Sequence, residues 1–172
     1  MKNPLVALLA ASIAFSLAAC NQQKSPEEAQ SDVARAQQKS DADLQKAQNK
    51  AVERTTEARQ DLRATQAEAN ADVQRARADG DVDDVQDASR DAADEVADQH
   101  ADTVETTAKA RYDLAVANAE AEQRVAKAKC EALPSDQQKA CKDEADARYD
   151  AAEARAKQDR EAAKDAVDHD GH

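Results

Sequence analysis

The side chains with reactive potential are three cysteines, a dense run of carboxylates and three histidines, and their spacing narrows the chemistry open to each. Cys130 and Cys141 bracket the segment "CEALPSDQQKAC", in which Leu133-Pro134-Ser135 interrupts a helical pattern. Proline disfavours the α conformation of the residue before it, and Ser135 with Gln138 three residues on has the form of a capping box. A tight helix–turn–helix at Pro134 would bring the two thiols together, provided their Cα atoms approach within about 7 Å. A structural disulfide, free or redox-active thiols, and a metal site are the readings open to the pair. The redox reading lacks the Cys-x-x-Cys spacing, and zinc would need more ligands than this segment offers.

The carboxylates are densest in "DGDVDDVQDASRD", residues 79–91. Laid on a twelve-residue calcium loop, Asp79, Asp81 and Asp83 fit positions one, three and five. Asp84 then stands where the turn glycine belongs, and Arg90 where a bidentate glutamate belongs. Asp83, Asp87 and Asp91 stack like charges at i,i+4, so they are at most weak candidates for diffuse Ca²⁺ or Mg²⁺ association; a solvated acidic face is the plainer expectation. His100 is isolated, and His169 and His172 lie in the terminal "DHDGH". No Ser-His-Asp pattern or phosphate loop is present, and there is little aromatic or branched lining for a substrate cavity. The expectation is a non-enzyme with no cofactor and no specific metal.

The remaining cysteine, Cys20, ends a different kind of segment. Lys2 is followed by the apolar run "LVALLAASIAFSL" (Leu5 to Leu17), then Ala18, Ala19 and Cys20. At about 20 Å as a helix the run is short for a hydrocarbon core of about 30 Å, so it reads as a processed export signal. Leu17-Ala18-Ala19-Cys20 resembles the lipobox of bacterial lipoprotein precursors. The resemblance implies that residues 1–19 are removed, that the Cys20 thiol carries a diacylglycerol, and that the new N-terminus is acylated. It also implies an outer-membrane address facing the periplasm, because Asn21 stands where an aspartate would signal inner-membrane retention. Acyl chains, each worth about 0.8 kcal/mol per buried CH₂, would tether the body to the bilayer. The exported location implied by the resemblance favours a structural disulfide for Cys130 and Cys141.

Residues 20–172 contain four leucines, ten valines, no isoleucine, phenylalanine or tryptophan, and two tyrosines. That is far too few large apolar side chains for an ordinary globular core. Alanine, Glu, Gln, Lys and Arg nevertheless dominate, and they are the strongest helix formers. The expected fold is all-α: long alanine-rich helices forming an extended hairpin or a coiled-coil-like bundle, with partial disorder in isolation as the alternative. With Lys2 removed, the charge is −13, from 23 Lys and Arg against 36 Asp and Glu. Such a body would repel nucleic acid and anionic headgroups, so no nucleic-acid partner is expected.

The large apolar residues recur. Val33, Leu44, Leu62 and Val73 are separated by 11, 18 and 11 residues, and Val85, Val96, Leu114 and Val125 repeat those separations. A shift of 52 aligns "AVERTTEARQDL" with "TVETTAKARYDL", which indicates an internal duplication. Each set should form a nearly straight stripe, often widened by an alanine three residues beyond the large residue, and the 11-residue step favours a straight or slightly right-handed path. Asp79-Gly80-Asp81 is the best break between the sets and predicts a hairpin in preference to a bend.

These features divide the chain into a signal (1–19), a lipidated tether (20–30), a first helical arm (31–79), a second arm (80–133), a C-terminal helix clamped by the cysteines (134–168) and a polar tail (169–172), with hinges at Gly80 and Pro134. In the last helix, Glu144–Arg148 and Glu153–Lys157 are expected ion pairs.

The functional expectation is a lipid-anchored spacer, scaffold or interaction module that self-associates or binds an envelope protein. The alternative is an acidic, partly disordered stress-protective or binding lipoprotein that folds on a cationic or macromolecular partner. Lipobox and helical body together resemble the small murein-linked lipoproteins. The terminal "DHDGH" in place of a terminal lysine argues against covalent peptidoglycan attachment.

Overall fold

A computed structural model describes residues 24–170, with side-chain surroundings given through residue 167. The signal segment, Cys20 and the side chains of the polar tail lie outside the described residues. The chain is an all-α, three-helix bundle: α1 (Pro26–Asp79), α2 (Val82–Cys130) and α3 (Ser135–Asp170).

Helix α1 opens at Pro26, ahead of residue 31, for a local reason. Ser25 caps it, its hydroxyl accepting from the Glu28 N–H at 3.2 Å while the Glu28 carboxylate accepts from the Ser25 N–H at 3.0 Å. Pro26 occupies the first turn, where a missing N–H costs nothing. The helix stops at Gly80, whose φ of 84° is left-handed and whose N–H donates to the Ala76 carbonyl. Asp81 immediately caps α2 by accepting from the Asp83 N–H at 2.9 Å. The chain therefore reverses within two residues. At the other break the Pro134 carbonyl accepts from the N–H groups of Gln137 and Gln138. Gln138 Nε2 turns back to donate to the carbonyls of Glu131 and Leu133, so it serves the end of α2, and Ser135 is the first residue of α3.

Helix α2 is central: it packs against both α1 and α3, and among the described residues α1 and α3 do not approach each other closely. Helical angles explain this. Thr103, Ala110 and Ala121 lie on one side of α2, and Ala108, Ala119 and Cys130 about 160° round on the other. The first set meets α1, where Ser40 reaches Ala121 and Thr103 reaches Ala58. The second faces α3 and its buried Ala145 and Ala156. Two separate seams thus replace a shared core.

Both seams differ from the expected stripe. Val33, Leu44, Leu62, Val73, Leu114 and Val125 are only half-buried; the buried residues lie four positions before them, at Ala29, Ser40, Ala58, Ala69, Ala110 and Ala121. The Cα–Cβ bond tilts toward a helix's N-terminus, so a long side chain covers the turn preceding it. Each Val or Leu therefore leans over the small residue at i−4, which marks the line of closest approach. Alanines three residues beyond, such as Ala36 and Ala128, are half-buried at the margin. On the α3 seam, Tyr112, Gln123, Tyr149 and Arg160 follow buried Ala108, Ala119, Ala145 and Ala156 at the same spacing. Steps of eleven recur among the buried positions, as in Ala108, Ala119 and Cys130, with a step of 18 from Ser40 to Ala58.

Candidate functional site

The two ends of the bundle differ in electrostatic character: charges of both signs are paired at one, and acids crowd the other. The root gathers the start of α1, the end of α2 and the start of α3. There Cys130 and Cys141 form a disulfide, with Cα atoms 5.6 Å apart and Cys130 only 1% exposed. Lys24, just ahead of α1, donates to Asp32 at 2.7 Å and to Glu131 at 2.5 Å, and Lys142 of α3 reaches the other Glu131 oxygen at 3.5 Å. One carboxylate thus ties all three strands of the root. Hydrogen bonds to Asp32 and then to Glu131 push the Lys24 ammonium up to about 12, and Lys24 in turn holds both carboxyls below their usual range. Nearby, Lys127 pairs with Asp146 at 2.5 Å and Lys139 with Asp143 at 2.6 Å. A shallow cavity of about 730 Å³ lies beside this clasp, between Pro26, Val33 and Ala132.

Along the rod, cross-seam pairs flank the alanines. Arg54 meets Asp113 and Arg124 meets Asp43, each at 2.8 Å. Of the two ion pairs expected in α3, Glu144–Arg148 forms at 2.5 Å, whereas Glu153 accepts from the Tyr112 hydroxyl across the seam at 3.4 Å. The Arg160 guanidinium lies 5.3 Å from the Tyr112 ring centroid. Burial beside Glu153 and Glu120 pushes the Tyr149 hydroxyl up.

The tip is the turn at Gly80 and the first half of α2, where ten acids and one arginine fall between Asp79 and Asp102. Asp83, Asp87 and Asp91 lie exposed along one side of α2; Asp87 meets Arg90 at 3.4 Å, and the Asp83 N–H is used in the Asp81 cap. Among the described residues no group of three or more His, Cys, Asp or Glu side chains is arranged to hold a metal ion. Val82 is 78% exposed at the turn itself. Beyond it, an open groove of about 1460 Å³ runs over α2 between α1 and the end of α3, and His100 lies in it.

The structure thus brings Cys130, Cys141 and Pro134 to one end of the rod and Gly80 with Asp83, Asp87 and Asp91 to the other, while Cys20 lies outside the described residues. Lys24 and the groove were not singled out from sequence. The clasp joins residues 107 positions apart, which no local pattern announces. The groove does have a trace: Ala97 is eleven residues before Ala108 and continues the α3-facing series. Among the described residues no helix is long and apolar enough to cross a membrane. Comparison with family models, with curated proteins and with solved structures gives no match for this chain.

Proposed function

We propose that this chain is a lipid-anchored, non-catalytic envelope protein that holds an acidic interaction surface away from the membrane. The observation that carries the reading is polarity along the rod. Its first described residues, four positions after Cys20, sit at an end where Lys24, Lys127, Lys139 and Lys142 are paired with carboxylates. The acidic tip stands at the other end of α1, whose 54 residues span about 80 Å. A tether at Cys20 leaves the anionic tip repelled by anionic headgroups, which favours an upright rod.

An acylated Cys20 implies a bilayer as first partner and the periplasmic face of the outer membrane as location. The 11-residue recurrence of buried alanines supports a coiled-coil-like hairpin with a straight or slightly right-handed path. Folding on a cationic partner is the second reading. It is favoured locally by the first half of α2, where like charges stack at i,i+4 on one helix.

Metabolic labelling with a palmitate analogue, followed by membrane fractionation, tests the anchor. Labelling that Cys20→Ser abolishes, together with release of the protein from membranes, is the expected result. An Asn21→Asp variant should move to the inner membrane. An unlabelled, freely soluble wild-type protein would remove the anchor and with it the spacer role.

A further inference from the structure

We propose that the tip groove is a docking site for a basic amphipathic helix with small residues along its contact stripe. This assigns a partner class to the interaction surface proposed above, and rests on that reading only for the tip's location in the aqueous compartment.

The groove continues an interface already built. Cys130, Ala119 and Ala108 are the α3-facing residues of α2, spaced by eleven and buried. The next residue in the series, Ala97, carries the same small side chain as Ala108 and Ala119 yet is exposed. Lys164 of α3 pairs with Glu105 of α2, so α3 has nearly run its described course before reaching the level of Ala97. Of these four residues, Ala97 alone is exposed.

The space left has the shape and lining of a helix seat. Val96 and Val104 form its floor, with Ala69 and Val73 on the α1 side, and Ala163 and Val167 on the α3 side. Its α2 lining runs from Ser89 to Val104, which is about 24 Å, or four turns of a partner helix. Ala93, Ala97 and Ala101 in that α2 lining let a partner backbone come close, as Ala108 and Ala119 do for α3.

Charge selects the occupant. Asp94 and Asp98 line the same groove, in a segment with ten acids and one arginine. A cationic helix satisfies both the apolar floor and the acidic rim. A second copy of this chain would set one acidic tip against another, which like-charge repulsion opposes.

The test uses the full chain in zwitterionic nanodiscs, with empty nanodiscs as the blank. The probe is a synthetic helix of about five turns built from Ala, Leu and Lys and carrying a benzophenone, compared with a counterpart in which Glu replaces Lys. Cross-links should map to α2 residues 89–104 and α3 residues 163–167. Asp94→Lys with Asp98→Lys should weaken binding at least about tenfold at roughly physiological salt, because rim charges steer and hold such partners. The same charge change at Asp41 and Asp150, exposed and far from the groove, should leave binding within about twofold. If the first pair of substitutions lowers helicity, Ala97→Trp blocks the groove at an exposed position and should also abolish cross-linking there.

Cross-links scattered along the rod, equal losses from both pairs of substitutions, equal binding of the Glu peptide, or copy-to-copy cross-links filling the groove would each overturn the proposal. Peptide binding at the groove by a protein that takes no palmitate would sink the anchor alone. Palmitate labelling without peptide binding would sink the groove alone.

Discussion

The Ser40 hydroxyl of α1 donates to the backbone carbonyl of Ala121 in α2, 3.3 Å away and 81 residues on in sequence. A side chain this short reaches a carbonyl on a neighbouring helix only where the two backbones nearly touch. Thr103 does the same in the opposite direction, donating to the Ala58 carbonyl at 3.2 Å while also bonding Gln99 within its own helix. Both hydroxyls are buried, and every buried polar side-chain atom among the described residues has a partner.

Ser40→Ala and Thr103→Val should therefore each lower stability by about 1 kcal/mol, the net worth of an ordinary buried hydrogen bond. The two sites are far apart along the seam, so the losses should add. Thermal or urea unfolding of the single and double variants reads both effects.

Ala110 is 1% exposed on the line of closest approach. Ala110→Leu should cost about 1–3 kcal/mol by forcing the α1 and α2 backbones apart. Val52 is 64% exposed, and Val52→Ala should be neutral or slightly stabilising, since alanine is the better helix former. Equal effects at the two positions would contradict an alanine seam.

Reduction of Cys130–Cys141, or replacement of both cysteines by alanine, should destabilise the chain by about 3 kcal/mol through the entropy of a closed loop of this length. The loss should fall on the α2–α3 seam. Amide exchange in α3 should accelerate more than at the Gly80 turn.

Gly80 has open space where a Cβ would stand, so its left-handed φ of 84° is the whole constraint. Gly80→Ala should cost about 1 kcal/mol and Gly80→Asn less, because asparagine tolerates this conformation better. Unfolding midpoints of the two variants give the ranking.

The Lys24 clasp predicts a pH dependence of definite sign. Asp32 and Glu131 have folded pKa values below their unfolded ones, so their contribution is complete above the ordinary carboxylate range of about 4 and is lost as pH falls through the lowered values. Lys24, raised to about 12, contributes fully below its ordinary value and loses that contribution only as pH rises through the raised one. The difference in melting temperature between wild type and Lys24→Gln should be small, constant at neutral pH, and vanish at both extremes. The clasp is exposed, so high salt should shrink it as well.

Three helices, their breaks and their charge were legible in the residues alone. Helix-forming composition, Gly80 and Pro134 act on neighbours a few residues away, and those effects survive in any tertiary setting; the Ser25 cap, which starts α1 at Pro26 and not at residue 31, was not read. The spacing of the large apolar residues was legible too, but its meaning was not. The separations 11, 18 and 11 read the same in either direction, so they suit an antiparallel neighbour as well as a repeated unit. It took the packed chain to establish that small residues four positions earlier form the seam, that α2 is shared between two partners, and that Ala97 is exposed. The physical reason is that close approach of two backbones depends on the register between residues tens of positions apart. That register is set by the sum of many small contacts along the whole rod, none of which a local window contains.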